Sequence, residues 1–152
     1  MIKIRPGKFR ELETILDFQM KMAEETEGIK LDRDTLFSGI EAVFEDPGKG
    51  HYYMAVNEND EAIACLLTTP EWSEWRNGTV LWIQSVYVEK EYRGQGVFKQ
   101  MYQYLQKMVN EDDEYMGLRL YVEVENVAAQ KVYKGLGMKD DHYQFFEWMK
   151  NF

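Results

Sequence analysis

Val86-Tyr87-Val88-Glu89-Lys90-Glu91-Tyr92-Arg93-Gly94-Gln95-Gly96-Val97-Phe98 decides how this 152-residue chain is read. The β-branched and aromatic run from Val80 to Val88 predicts a strand that ends in a polar elbow. An amphipathic helix follows over residues 96–111, with Val97, Met101, Tyr104, Leu105, Met108 and Val109 at the spacing of one buried face. Between strand and helix, Gly94 and Gly96 free the backbone for positive φ and leave the approach side bare. Successive N–H groups then converge at a helix N-terminus, where the dipole favours negative charge. That is a socket for a phosphorylated ligand, although an ordinary strand-to-helix turn has the same outline.

Two familiar phosphate loops fail on residues. A P-loop needs Lys-Ser or Lys-Thr after its second glycine, and Val97-Phe98 follows Gly96. A dinucleotide fingerprint needs a third glycine where Lys99 stands. The spacing Arg93-x-x-Gly96-x-Phe98 instead resembles motif A of the GNAT superfamily of N-acetyltransferases, departing only at Phe98, where the family has Gly or Ala. About 30 residues on, Asn126-x-x-Ala129-x-x-x-Tyr133, then Gly137-Met138, resembles motif B of the same family. Asn126 is a good N-cap and Gly135 or Gly137 a good C-terminal stop, which puts Asn126, Ala129 and Tyr133 on one helical face.

The resemblance implies an α/β (α+β) GNAT fold, a mixed and mainly antiparallel sheet with helices on both faces in the order β-α-α-β-β-β-α-β-α-β-β. The residue patterns supply matching elements: a strand at 2–5, helices at about 8–25 and 33–45 (capped by Asp32 or Asp34), and a hairpin of Tyr52–Val56 and Ala62–Thr69. Pro70–Gly78 reads as a loop. Strand 79–88, helix 96–111, strand 117–125, helix 127–134 and a last strand Tyr143–Met149 follow. One domain over residues 1–152 is expected.

The cosubstrate implied is acetyl-CoA. Val86, Tyr87 and Val88 would offer backbone groups to pantetheine where two parallel strands splay apart, while the Val86 and Val88 side chains are equally suited to a core. Arg93, Gly94, Gln95, Gly96, Val97 and Phe98 would form the pyrophosphate loop, each charge-assisted bond worth roughly 1.5–3 kcal/mol. Phe98 is expected to point away from the phosphates. Asn126 and Ala129 complete the cofactor set. Tyr133 is the general acid that the resemblance implies, its phenol (pKa about 10) protonating a departing thiolate (about 8.5); positioning the sulfur is its other role.

An alkylamine with pKa about 10.4 is neutral in only ~1 molecule in 2,500 at pH 7, so the acceptor must lose a proton. Some family members carry a glutamate base six residues before the last valine of the central strand, where this chain has Trp82; Gln84 is two residues on. Neither is a base, which leaves ordered water or a carboxylate such as Glu71, Glu74, Glu24 or Glu123. Trp72, Trp75 and Trp82 are candidates to wall an acceptor pocket and offer cation–π contact, with core packing the alternative for Trp82.

Bulk properties narrow the partners. A net charge of −9 and the lack of a basic stripe argue against nucleic acid, and no 18-residue apolar run exists to span a membrane. The single cysteine, Cys65, precludes an internal disulfide, fits the cytoplasm and suits a small buried hydrophobe better than a nucleophile. His51 and His142 lack partners at metal-ligand spacing, so no metal is expected. The expected partner is a small-molecule or peptide amine; a homodimer stays open. A non-catalytic CoA-binding GNAT domain and an unrelated nucleotide binder are the competing classes.

Overall fold

The computed structural model describes residues 1–151, which divide into two compact units, Met1–Arg119 and a second from Leu120 onward. The first holds a five-stranded sheet in the order β1 (Lys3–Pro6), β2 (His51–Val56), β3 (Ala62–Ser73), β4 (Gly78–Val88) and β5 (Tyr115–Arg119). The first four strands pair antiparallel and β4–β5 parallel, so the sheet is mixed and mainly antiparallel.

Alternation along β2 sorts the core. Tyr52, Met54 and Val56 join Leu12, Ile15, Leu16, Phe18 and Ile40 from α1 (Leu12–Glu27) and α2 (Arg33–Glu45), with Cys65 and Tyr87 beside them. Tyr53 points the opposite way, toward α3 (Val97–Glu111): its ring lies 5.8 Å from that of Tyr104 and its hydroxyl is 3.4 Å from Met108 Sδ. Val97, Met101 and Leu105 are buried along α3, as the periodicity requires. Helices therefore cover both faces. Asp32, rather than Asp34, caps α2 by accepting the Thr35 N–H at 3.0 Å. Gly28, at φ 64°, closes α1.

Several boundaries differ from the sequence reading. The first turn of the expected helix 8–25 is a short 3-10 turn, Phe9–Glu11, because Glu11 is drawn aside by Arg5. Both Arg5–Glu11 contacts are 2.9 Å, and the Lys8 N–H also donates to Glu11 at 2.8 Å. Burial pushes the Glu11 carboxyl up, but the Arg5 hydrogen bonds, the Lys8 N–H and the Arg5 charge outweigh it and hold Glu11 below the usual range. Both side chains are 10% exposed; Glu11→Ala removes two charged contacts from a guanidinium that keeps Asp60 and the Pro6 carbonyl, and should lower stability by about 1.5–3 kcal/mol in urea unfolding. Because the folded pKa is depressed, this stabilisation is present above the ordinary glutamate pKa and is lost as pH falls through the lowered one.

Pro70–Gly78 is not a loop throughout: β3 runs on to Ser73, pairing Glu71 with Val80 and Trp72 with Thr79. Proline is tolerated there because β2 ends at His51, opposite Thr68, leaving Pro70 on a stretch with one bare edge. Strand 117–125 is shortened, since β5 ends at Arg119. Residues 143–149 are irregular, so the two last strands of the expected order are not formed among the described residues. Alternation alone does not make a strand; a ladder partner is required, and no pairing engages these residues.

The second unit contains α4 (Val127–Gly135). Asn126 caps it, its Oδ1 accepting the Ala129 N–H at 3.1 Å, and Gln130 donates back to the carbonyls of Glu123 and Val124 at 3.2 and 3.0 Å. Tyr121 and Phe145 stack at 4.8 Å between centroids.

Candidate active site

After β4, a 3-10 turn at Lys90–Tyr92 leads into the glycine loop. Gly94 and Gly96 have φ of 76° and 77°, the left-handed region that favours glycine. A Cβ added at either would meet no protein atom within 4 Å, so the loop surface is open rather than packed. Gly96 is the N-cap of α3, and the first bond into the helix runs from the Gln100 N–H to the Gly96 carbonyl at 3.1 Å. Amides ahead of Gln100 have no acceptor within the helix, and no acidic residue occupies the first turn. An anion is the natural complement of that arrangement.

Arg93 braces the loop. Its Nε donates to the Val88 carbonyl at 2.8 Å, its Nη2 meets Glu25 at 2.7 Å, and its guanidinium carbon lies 5.4 Å from the centre of the Tyr87 ring. Gln95 donates to the Glu91 carbonyl at 3.0 Å. The Phe98 ring lies 6.4 Å from Tyr102, one turn along α3.

Upstream, β4 separates from β5. The parallel pairing ends at Trp82 opposite Arg119, so the β4 edge from Ile83 to Val88 is not laddered to β5. Val86 and Val88 are half-buried there and Tyr87 is buried. Within this stretch Leu66 of β3 faces two residues, Ser85 and Val86, because Cys65 pairs with Tyr87 and Leu67 with Gln84. This is a β-bulge, and Ser85 takes φ 56° to make it.

Cross-strand pairing fixes which side chains share a face. Trp82 pairs with Thr69 and Arg119, Gln84 with Leu67, and Val80 with Glu71, so Thr69, Glu71, Trp82, Gln84 and Arg119 lie on the side covered by α1 and α2. Gln84 donates to Thr69 Oγ1 at 2.8 Å, and Arg119 forms an ion pair with Glu71. Trp72 pairs with Thr79 and therefore points to the opposite face, 62% exposed. Trp75 and Glu74 sit in the hairpin turn, with Trp75 89% exposed. The three tryptophans do not wall one pocket, because β3 continues past Pro70 and alternation sends Trp72 away from Trp82.

In the second unit Tyr133 is half-buried on α4, and burial pushes its phenol pKa up. Cys65 is fully buried and its thiol is pushed up to about 12, the behaviour of a packing residue. Among the described residues, no cluster of three or more His, Cys, Asp or Glu side chains is arranged to hold a metal, and no helix is long and apolar enough to cross a membrane. Sequence reasoning passed over Gln19, Ser85 and Glu25. Gln19 had a signal: a polar residue inside the apolar stripe Ile15, Leu16, Met20, Ala23.

Residues 11–138 match the model of the acetyltransferase (GNAT) family. The chain belongs to that family. A possible acetyltransferase from Clostridium difficile 630 is 42% identical, with a TM-score of 0.91 over 98% of this chain and 97% of that one. The fold also matches glucosamine-6-phosphate N-acetyltransferase from Arabidopsis thaliana at 16% identity and TM-score 0.74, covering 99% of this chain and 99% of that chain. AAC(6')-Iy in complex with the bisubstrate analogue CoA-S-monomethyl-acetylneamine matches at 18% identity and TM-score 0.78, each chain 99% covered. Comparison with curated proteins gave no significant match.

Proposed function

We propose that this GNAT chain transfers an acetyl group from acetyl-CoA to a primary amine of a small molecule or peptide, by direct attack within a ternary complex. The observation that carries the reading is the succession along β4: an open double-glycine loop at a helix N-terminus, then a strand edge released from its neighbour. The loop residues Arg93 to Phe98 take the pyrophosphate, with Arg93 holding the loop in shape. The edge groups of Val86, Tyr87 and Val88 take the pantetheine amides, as a strand edge does for any extended amide chain. Asn126 and Ala129 belong to the same cofactor set.

The amine nitrogen attacks the thioester carbon, a C–N bond forms, and the C–S bond breaks as the sulfur leaves with its electron pair. Tyr133 supplies the proton that the thiolate takes up; its raised pKa keeps the phenol protonated at neutral pH. Trp82 and Gln84 face the acceptor and neither is a base; with Glu71 engaged by Arg119, the amine gives its proton to ordered water or to one of the other carboxylates, Glu74, Glu24 or Glu123. Trp82 offers an aromatic face to a cationic acceptor, which the net charge of −9 also attracts. The working setting is the cytoplasm, with neither nucleic acid nor membrane as partner.

A CoA-release assay against a panel of amines tests the reading. Saturable turnover with at least one amine is the expected result. Tight acetyl-CoA binding without turnover on any amine would favour a non-catalytic CoA-binding domain, and nucleotide binding as tight as that of CoA would favour an unrelated phosphate binder.

A further inference from the structure

Gln19 is polar, 5% exposed, and set in the apolar stripe that α1 turns to the sheet. Its Nε2 donates to the carbonyl oxygen of Ser85 at 2.9 Å and lies 3.5 Å from Cys65 Sγ. Ser85 is the bulged residue of β4, in a left-handed conformation that a residue with a Cβ disfavours. A helix side chain thus holds a strained backbone carbonyl inside the sheet. We infer that Gln19 is a positioning residue for acetyl-CoA, fixing the β4 bulge and through it the face that Val86, Tyr87 and Val88 present.

The reason lies in strand geometry. Without the Gln19 amide, the partly buried Ser85 carbonyl has lost that donor, and the bond no longer offsets the cost of its positive φ. Relaxing Ser85 toward extended backbone removes the extra residue from the ladder. A one-residue change of register turns each side chain beyond it to the other face and moves each edge N–H and C=O with it. Residues 86–88 lie directly beyond it, ahead of the glycine loop. The loop itself begins at Arg93, which bonds the Val88 carbonyl within that stretch but is also anchored outside it, on Glu25 of α1. Gln19 should therefore govern the grip on the pantetheine arm far more than the grip on the phosphates.

The inference rests on reading the β4 edge as the pantetheine site, and calorimetry with two probes separates the two claims. The probes are acetyl-CoA and the nucleotide half of CoA, phosphoadenosine diphosphate, which has no pantetheine arm. In wild type, acetyl-CoA should bind more tightly than the nucleotide half; equal affinities would overturn the β4 reading itself. Gln19→Met, close in volume and without a donor, should weaken acetyl-CoA by about tenfold, the scale of one lost hydrogen bond, and weaken the nucleotide half clearly less. Should that variant prove too unstable to purify, Gln19→Asn keeps an amide but withdraws it by one methylene, and the same pattern is expected. An unchanged acetyl-CoA affinity, or an equal loss for both probes, would overturn the positioning role.

Discussion

Tyr133→Phe is expected to lower turnover by roughly 10²-fold or more at saturating acetyl-CoA, the scale of losing one proton-transfer group. Acetyl-CoA affinity should change little, because the ring stays to pack in its half-buried setting on α4. Burial raises the phenol pKa, so the acid form predominates throughout the neutral range and the wild-type rate should not fall there through loss of the phenolic proton. Steady-state kinetics with an acceptor found in the amine panel supplies the measurement. A parallel loss of affinity and rate would make Tyr133 a positioner of the sulfur. Wild-type turnover in a chemistry-limited regime would assign thiolate protonation to water.

Gly96→Val should abolish acetyl-CoA binding as read by calorimetry, a loss of at least 100-fold, while the protein stays folded. Two costs combine. A left-handed conformation costs a residue with a Cβ about 1–2 kcal/mol, and branching at Cβ adds to it. The larger effect is on the ligand side: the space beyond Gly96 is empty of protein, so the valine methyls would occupy the path by which a phosphate reaches the helix amides. Gly96→Ala carries most of the backbone cost with much less bulk and should retain measurable binding. Unchanged affinity in the valine variant would remove the loop from the site.

The parts of the fold that were legible in sequence are those in which local pattern and tertiary demand agree. α2 was found at its observed limits because Asp32 offers a cap and Leu36, Phe37, Ile40, Val43 and Phe44 repeat at helical spacing. The glycine loop was legible because positive φ at a strand–helix junction is a glycine signature. What was missed depends on partners far away in sequence. Ser85 carries no local sign of a left-handed backbone, since the bulge is imposed by register against β3 and held from α1, 66 residues upstream. Pro70 misled for the opposite reason: its strand-breaking character is neutral wherever the neighbouring strand has already ended. The aromatic alternation of Tyr143 to Met149 promised a strand, and strand propensity without an edge to pair with is only a preference.

The brace on Arg93 makes the phosphate loop a prestressed part rather than a hinge. One guanidinium spans the Val88 carbonyl at the end of β4 and Glu25 near the end of α1, and lies by the Tyr87 ring, so the two elements that flank the glycines are tied before any ligand arrives. Ordering a loop on binding subtracts from affinity, and a loop already ordered avoids that loss. The tie is itself ionic and 42% exposed at both side chains, so salt loosens it. Ionic strength therefore acts twice on the same ligand, by screening its phosphates and by slackening the clamp that holds their receptor in shape. A charge change at Glu25, which belongs to neither phosphate loop nor strand edge, would be felt as a change in the rigidity of the loop.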